Sequence, residues 1–385
     1  MASDVIVIGS GIAGAATAFH LAEAGVGVTL VEKQHPAAGP TGKSSAVSHL
    51  FYTEPELSRL AQRGCGWLKR LPEIGGGPAV FHEVGVLWCA GEENAEVWAA
   101  AARRIHDEEG GEIFAVTPEE LASRAPDFVM DDIAIGIWEP GYGYADPYEA
   151  ANGFAAAAKA RGATVRQQSR VAEIEASGGR VAGVRLGSGE RIAADIVVAA
   201  TGPWTKSLIS PLGVDLPLHI ERHAMAVLDA PGRARDILPF AWVDDILAHY
   251  ARPEREDTIL IGTWAGGGTG IRNPEAGRPH AHADPNDYDA DSDPDEAAWI
   301  VQQMLPRVPR IGELGIRPGY ACLYDMSPDD LPVIDRVPGV EGLFVVAGSS
   351  GHGFKLGPAV GEEVARLVTT GRSDLLAPFS LARFG

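Results

Sequence analysis

Residues 4–33 read DVIVIGSGIAGAATAFHLAEAGVGVTLVEK, and this stretch decides the fold. The run DVIVI (4–8) is β-branched and apolar, the composition of a buried strand. Gly9, Gly11 and Gly14 follow, then an Ala-rich helical stretch ending at Gly25, a suitable residue just past a helix C-terminus. Val26 to Val31 is a second strand, with Glu32 at its carboxyl end, so one βαβ unit occupies the first 32 residues. In that setting Gly9 permits a tight turn, Gly11 lets backbone N–H groups approach a pyrophosphate, and Gly14 allows close helix–strand packing. The helix N-terminus supplies partial positive charge for the diphosphate. Glu32, separated from Gly14 by 17 residues, is placed to accept hydrogen bonds from a ribose. A corner that binds nothing is the alternative, and the strand before it and helix after it weigh against that.

Two more strands run into glycine corners. Asp195–Ala200 leads into Ala200-Thr-Gly202-Pro-Trp204, and Gly342–Ala347 leads into GSSGHGFKLGP, residues 348–358. AVGEEVARLVTT (359–370) then reads as a helix with Pro358 near its first turn. The three corners predict one sheet visited three times. They lie about 190 and 340 residues apart from the first, and no second phosphate fingerprint appears, which disfavours a nicotinamide dinucleotide. The last corner places small residues before a helix N-terminus, an arrangement suited to a planar ring whose carbonyl edge gains negative charge on reduction. FAD is the dinucleotide expected.

The intervening pieces, 83–140 and 219–265, mix helical stretches with alternating runs such as Thr258-Ile-Leu-Ile-Gly262. They predict a second domain inserted in two parts on an antiparallel sheet. The expected fold is therefore mixed α/β. A Rossmann-like FAD-binding domain comprises 1–82, 141–218 and 328–385, and a substrate-binding domain comprises 83–140 and 219–327. Residues 272–296 are rich in Asp and Pro and lack the glycine and terminal Glu of a calcium loop, so a solvated loop with exposed His280 and His282 is expected.

The 385 residues are 45% hydrophobic and 22% charged, a globular profile long enough for two domains. The net charge of −20 repels phosphate backbones and anionic lipid, arguing against nucleic-acid and membrane partners. Cys65, Cys89 and Cys322 are too few and scattered for a disulfide framework or a metal site. Met1 to Asp4 lack the basic and apolar regions of a signal peptide, and no run of ~20 apolar residues is present, so a cytoplasmic protein is expected.

The set GSGIAGAATAFHLA…VEK, AATGPW and GLFVVAGSSGHGFKLGPAVGEEVA resembles the D-amino-acid-oxidase superfamily of FAD oxidoreductases, nearest its sarcosine oxidase-like amine oxidases. The resemblance implies that Ile12, Ala13, Glu32 and Lys33 contact the adenosine diphosphate half, and that Ser44 and Ser45 run beside the flavin. It places Val171 near the adenine, Gly202 and Trp204 at the second corner, and Gly351, His352, Gly353, Phe354 and Lys355 around the pyrimidine ring. Cys322 stands where such enzymes carry a cysteine bonded to the flavin 8α carbon; a buried cysteine acting as a small hydrophobe is the alternative. Lys355 matches a lysine that holds the substrate carboxylate, Tyr324 a tyrosine lining that cavity, and Arg317 is a candidate second cation.

What this implies is oxidation of a small carboxylated amine (N-methyl, cyclic or D-amino acid) to the imine. Hydride passes to flavin N5, and reoxidation by O2 gives H2O2, in a monomer or small homo-oligomer. Two departures stand against sarcosine itself and fast oxygen use: Ser48-His49 occupies the place of a carboxylate-binding arginine, and Leu260 that of an oxygen-activating lysine. The second admits a dehydrogenase of an amine or 2-hydroxy acid with a quinone or carrier acceptor. A flavin-binding subunit of a hetero-oligomeric oxidase is a further alternative.

Overall fold

The three strands that run into glycine corners lie side by side. In the computed structural model, which describes residues 4–264 and 281–385, Val5–Ile8 pairs in parallel with Ile196–Ala199 and with Val28–Val31. Leu343–Ala347 pairs in parallel with Ile196–Ala199 on the far side. Thr164–Arg166 extends one edge of this six-stranded sheet and the antiparallel Val333–Arg336 the other. Val5–Ile8, Val28–Val31 and Leu343–Ala347 are buried throughout, which is why they are apolar on both faces with Thr29 the one polar residue among them. Val5 and Val7 face a core shared with helices Ile12–Glu23, Pro55–Lys69, Pro147–Ala160 and Gly353–Thr370. Ile6 and Ile8 face a second core, closed by a three-stranded antiparallel sheet over residues 171–193.

Helices Ile12–Glu23 and Gly353–Thr370 touch through small residues: a Cβ at Gly357 or Gly361 would come within 2.6 Å of Ile12 or Thr17. The second helix starts at Gly353, six residues ahead of the predicted start, because burial of Phe354, Leu356 and Val360 overrides the glycines and Pro358 that read as breakers. Lys355 thereby sits in a helical first turn rather than in a loop.

A ten-stranded sheet is built only from strands within 86–139 and 219–326. Its neighbours are antiparallel except at one joint, where Ala241–Asp244 pairs in parallel with Val86–Ala90 and so connects the two inserted pieces. Gly315–Met326 and His219–Asp229 pair over most of their length, setting Cys322 opposite His223 and Tyr324 opposite Glu221.

The polar tract departs from expectation over its described part. Ala281–His282 adds to His219–Asp229, Asp291–Ser292 adds to Gly315–Met326, and a helix capped by Asp293 starts at Pro294. Backbone pairing to a long neighbouring strand outweighs the local charge. His282 is exposed, and His280 lies outside the described residues. No helix among the described residues is long and apolar enough to cross a membrane.

Candidate active site

All three glycine corners open on one cavity of about 660 Å³. Gly9 has φ +96°, and a Cβ there would collide with the Ala200 carbonyl; one at Gly14 would collide with the Gly9 carbonyl. Only glycine lets the strand, the helix start and the second corner meet this closely. Thr41 Oγ1 accepts the Ile12 N–H at 3.1 Å beside Gly11, at the helix entrance. Glu32 is buried at the strand end, one oxygen accepting the Ser10 N–H and the other the Gln34 N–H, each at 2.8 Å. Those bonds hold the carboxylate still and leave lone pairs for a diol. Lys33 Nζ lies 3.2 Å from the Trp204 ring centroid, and Val171, Ala13 and Gly202 share the lining. At the other end stand Cys322, Tyr324, Gly351, Gly353 and Phe354. Asp325 braces this end by accepting the Gly348 N–H at 2.7 Å; burial raises its carboxyl to about 6. A fixed carboxylate, then a helix N-terminus, then a second helix N-terminus form a trough whose donors and shape fit FAD.

A second cavity, about 260 Å³, adjoins the first and shares Ser44, Tyr324, Gly351 and Phe354 with it. Trp88, Tyr250 and Trp264 line it with aromatic surface, and Ser45, His49, His352 and Lys355 are further lining residues. Lys355 is 6% exposed, and burial at a helix N-terminus lowers its ammonium to about 8. His352, hydrogen-bonded through Nδ1 to the Tyr52 hydroxyl at 3.0 Å, falls to about 3 through burial and the nearby Lys355. His49, edge-on to Trp88 at 4.7 Å, is lowered for the same two reasons. At neutral pH the part of the chamber around Lys355 therefore presents one cation beside two neutral imidazoles, His49 and His352. That part attracts a carboxylate.

Glu221 and Asp330 line the chamber as well. Burial opposes ionisation of Glu221, yet hydrogen bonds from His223 (3.1 Å) and His219 (2.8 Å) hold its carboxyl down near 2. Burial pushes the Tyr324 phenol well above its ordinary value, so it is a neutral hydroxyl, 3.4 Å from that of Tyr250.

The named residues thus gather at the two cavities, with one exception. Arg317 lines neither: its side chain is half exposed on the Gly315–Met326 strand and is spent in an ion pair with Asp229. A bulge beside Met225 keeps it on the same face as Tyr324, since their partners Val227 and Glu221 are six residues apart, but it stands at the far end of the strand, away from both cavities. Sequence reading missed Asn286, which rims the first cavity and accepts the Trp204 indole N–H at 2.9 Å, and Tyr288, which accepts from Lys43 at 3.2 Å. It also missed the buried Glu139, which accepts from Trp88. The Asp-rich composition around Asn286 masked that contribution, and a lone Glu in an apolar strand carries no motif.

The chain is similar over 99% of its length, and 96% of the relative's, to peroxisomal sarcosine oxidase from Homo sapiens, at 28% identity. N-methyl-L-tryptophan oxidase from Yersinia pestis is also 28% identical, over 99% of each chain. Among solved structures, L-proline dehydrogenase from P. horikoshii superposes with a TM-score of 0.86 and 25% identity, covering 100% of this chain and 98% of that one. Glycine oxidase from Geobacillus kaustophilus gives 0.81 and 24%, covering 99% and 98%, a likeness of fold. The family model described as DAO, FAD dependent oxidoreductase, matches residues 4–367. A match of that extent, laid over a trough shaped for the cofactor, makes the chain a member of the DAO family of FAD-dependent oxidoreductases.

Proposed function

We propose that the chain oxidises a small carboxylated amine, of the N-methyl, cyclic or D-amino-acid class, at a carbon bonded to nitrogen. The observation that carries this reading is Lys355, the only lysine or arginine among the described lining of an aromatic chamber that opens on the cofactor trough. The carboxylate pairs with the Lys355 ammonium, the amine is held as its neutral form, and Tyr324 borders the space between chamber and trough. FAD, when bound, supplies the acceptor for the hydride lost from carbon. The substrate nitrogen gives up a proton and becomes an imine, which water hydrolyses to a carbonyl compound and an amine. The relatives' names, sarcosine oxidase and N-methyl-L-tryptophan oxidase, support this substrate class.

In the same reading Ile12, Ala13, Glu32, Lys33 and Val171 hold the adenosine half, and Ser44, Ser45, Gly202, Trp204 and Gly351–Lys355 enclose the remainder. Cys322 is the candidate for a thioether to the flavin. The six-stranded sheet with its helices is the cofactor unit and the ten-stranded sheet the substrate unit, in a cytoplasmic monomer or small homo-oligomer. Oxygen is the acceptor in the first reading. A dehydrogenase using another acceptor is the second, favoured by Leu260, a buried apolar side chain where an oxygen-activating cation is implied. Its cross-strand partner Arg252 is committed to the Ser45 carbonyl and Glu254.

The test is anaerobic bleaching of the flavin band by a panel of N-methyl, cyclic and D-amino acids, followed by air. Bleaching by a carboxylated amine, lost at ordinary concentrations in Lys355→Met with FAD retained, is the expected result. A panel that bleaches nothing, or bleaches Lys355→Met equally, overturns the reading. Recovery of colour in air within seconds selects oxygen, and persistence of the bleached state selects another acceptor.

A further inference from the structure

Behind the chamber wall lies a carboxylate that binds no substrate. Glu139 ends the strand Ile135–Glu139 and is fully buried. One oxygen accepts the Leu50 N–H at 2.5 Å, and the other accepts the Phe51 N–H at 3.2 Å and the Trp88 indole N–H at 3.0 Å. The three donors come from two parts of the chamber: the segment that presents His49, and the strand Val86–Ala90 that presents Trp88 to the same chamber. His49 and Trp88 meet edge to face at 4.7 Å, and this one group ties the backbone just after His49 to the Trp88 indole.

Lys355 Nζ lies 5.6 Å from the ring centroid of Tyr52, the residue after the Phe51 whose N–H Glu139 accepts, and Cys65 from helix Pro55–Lys69 and Tyr142 are the other titratable groups around the carboxylate. Burial pushes the Cys65 thiol to about 12 and raises both phenols, so these three are neutral and Lys355 is the one charge in the set. Burial likewise raises Glu139 to about 7, while its hydrogen bonds and Lys355 act to keep it ionised. A buried carboxylate without a contacting cation is costly, and its retention here requires a task.

We infer that Glu139 is a positioning residue of the chamber: one carboxylate clamps the His49 segment to the Trp88 strand, and its charge supports the ammonium of Lys355. The inference rests on the reading of the chamber as the substrate site. Carboxylate binding needs protonated Lys355, so affinity holds at low pH and falls as pH rises through the lysine's pKa. Removing the Glu139 charge lowers that pKa, and the fall then begins at lower pH.

FAD-loaded protein titrated with benzoate between pH 6 and 10, followed through the flavin absorbance, reads this directly. In Glu139→Gln the descending limb moves down by about one pH unit, so binding at pH 9 weakens about tenfold relative to the parent, and Glu139→Asp restores much of the limb. A limb that stays in place, or an affinity lower by the same factor at every pH, overturns the inference. Lys355→Met separates the two readings. If it binds benzoate like the parent, the chamber assignment falls and this inference with it; if it weakens binding while the Glu139→Gln limb is unmoved, this inference alone falls. Should Glu139→Gln not fold, Trp88→Phe removes one of the three donors that keep the carboxylate ionised and is held to a smaller shift of the limb in the same direction, an unmoved limb overturning the inference.

Discussion

The imidazole of His223 lies flat on the ring of Tyr324, with centroids 3.8 Å apart and planes 19° from parallel. The ring so braced lines both cavities, and it leaves no room for a side chain at Gly351, where a Cβ would sit 2.7 Å from the tyrosine ring. An aromatic pair of this kind contributes about 0.5–1.5 kcal/mol beyond its buried area. His223→Ala should therefore retain FAD yet slow flavin reduction roughly 2- to 10-fold at saturating amine, read by anaerobic stopped-flow. An unchanged limiting rate would show that Tyr324 needs no support.

Lys355→Met should raise the Kd of a carboxylate inhibitor by about 10- to 100-fold, since a hydrogen bond to a charged group contributes about 1.5–3 kcal/mol. The flavin spectrum of the free protein should be unaltered. Inhibitor binding indifferent to this change moves the carboxylate site elsewhere.

Burial pushes the Cys322 thiol to about 12, with Lys43 pulling the other way. The thiolate is the nucleophile, and its fraction grows about tenfold per pH unit below that value. Apoprotein mixed with FAD should thus acquire acid-stable flavin faster as pH rises, and more slowly in Lys43→Met. A white acid precipitate from the fully loaded parent protein removes the thioether.

Gly9→Ala should abolish FAD binding. The new methyl meets the Ala200 carbonyl, and the backbone at φ +96° adds strain of about 1–3 kcal/mol. Absorbance of the purified variant and its melting temperature check this; a fully yellow variant of parental stability contradicts the close approach of strand and corner.

Legibility followed the range over which each constraint acts. The βαβ start was readable because strand, glycine corner and helix impose their requirements within 32 neighbouring residues, and the three parallel strands because each is apolar on both faces. Val28–Val31 is shorter than the run Val26–Val31, since Gly27 and Val26 are spent on the turn into the strand. Cys322 and Tyr324 could be placed by motif, whereas Arg317 in the same strand could not, because only the three-dimensional neighbour Asp229 shows where its charge goes. Glu139 was invisible for a related reason: its three donors lie 51 to 89 positions earlier, and nothing local marks a glutamate as a clamp. Asn286 and Tyr288 were hidden by a composition that usually means solvent.

The parallel joint between Val86–Ala90 and Ala241–Asp244 has a bearing on biosynthesis. The earlier strand leaves the ribosome about 150 residues ahead of the partner that covers its second edge, and every residue of it is buried in the finished protein. A chain interrupted before residue 241 displays VLWCA as an open, greasy margin ready to recruit another molecule. Stalled or clipped products should accumulate as aggregates, while the intact polypeptide, once its later half arrives, seals that margin from within.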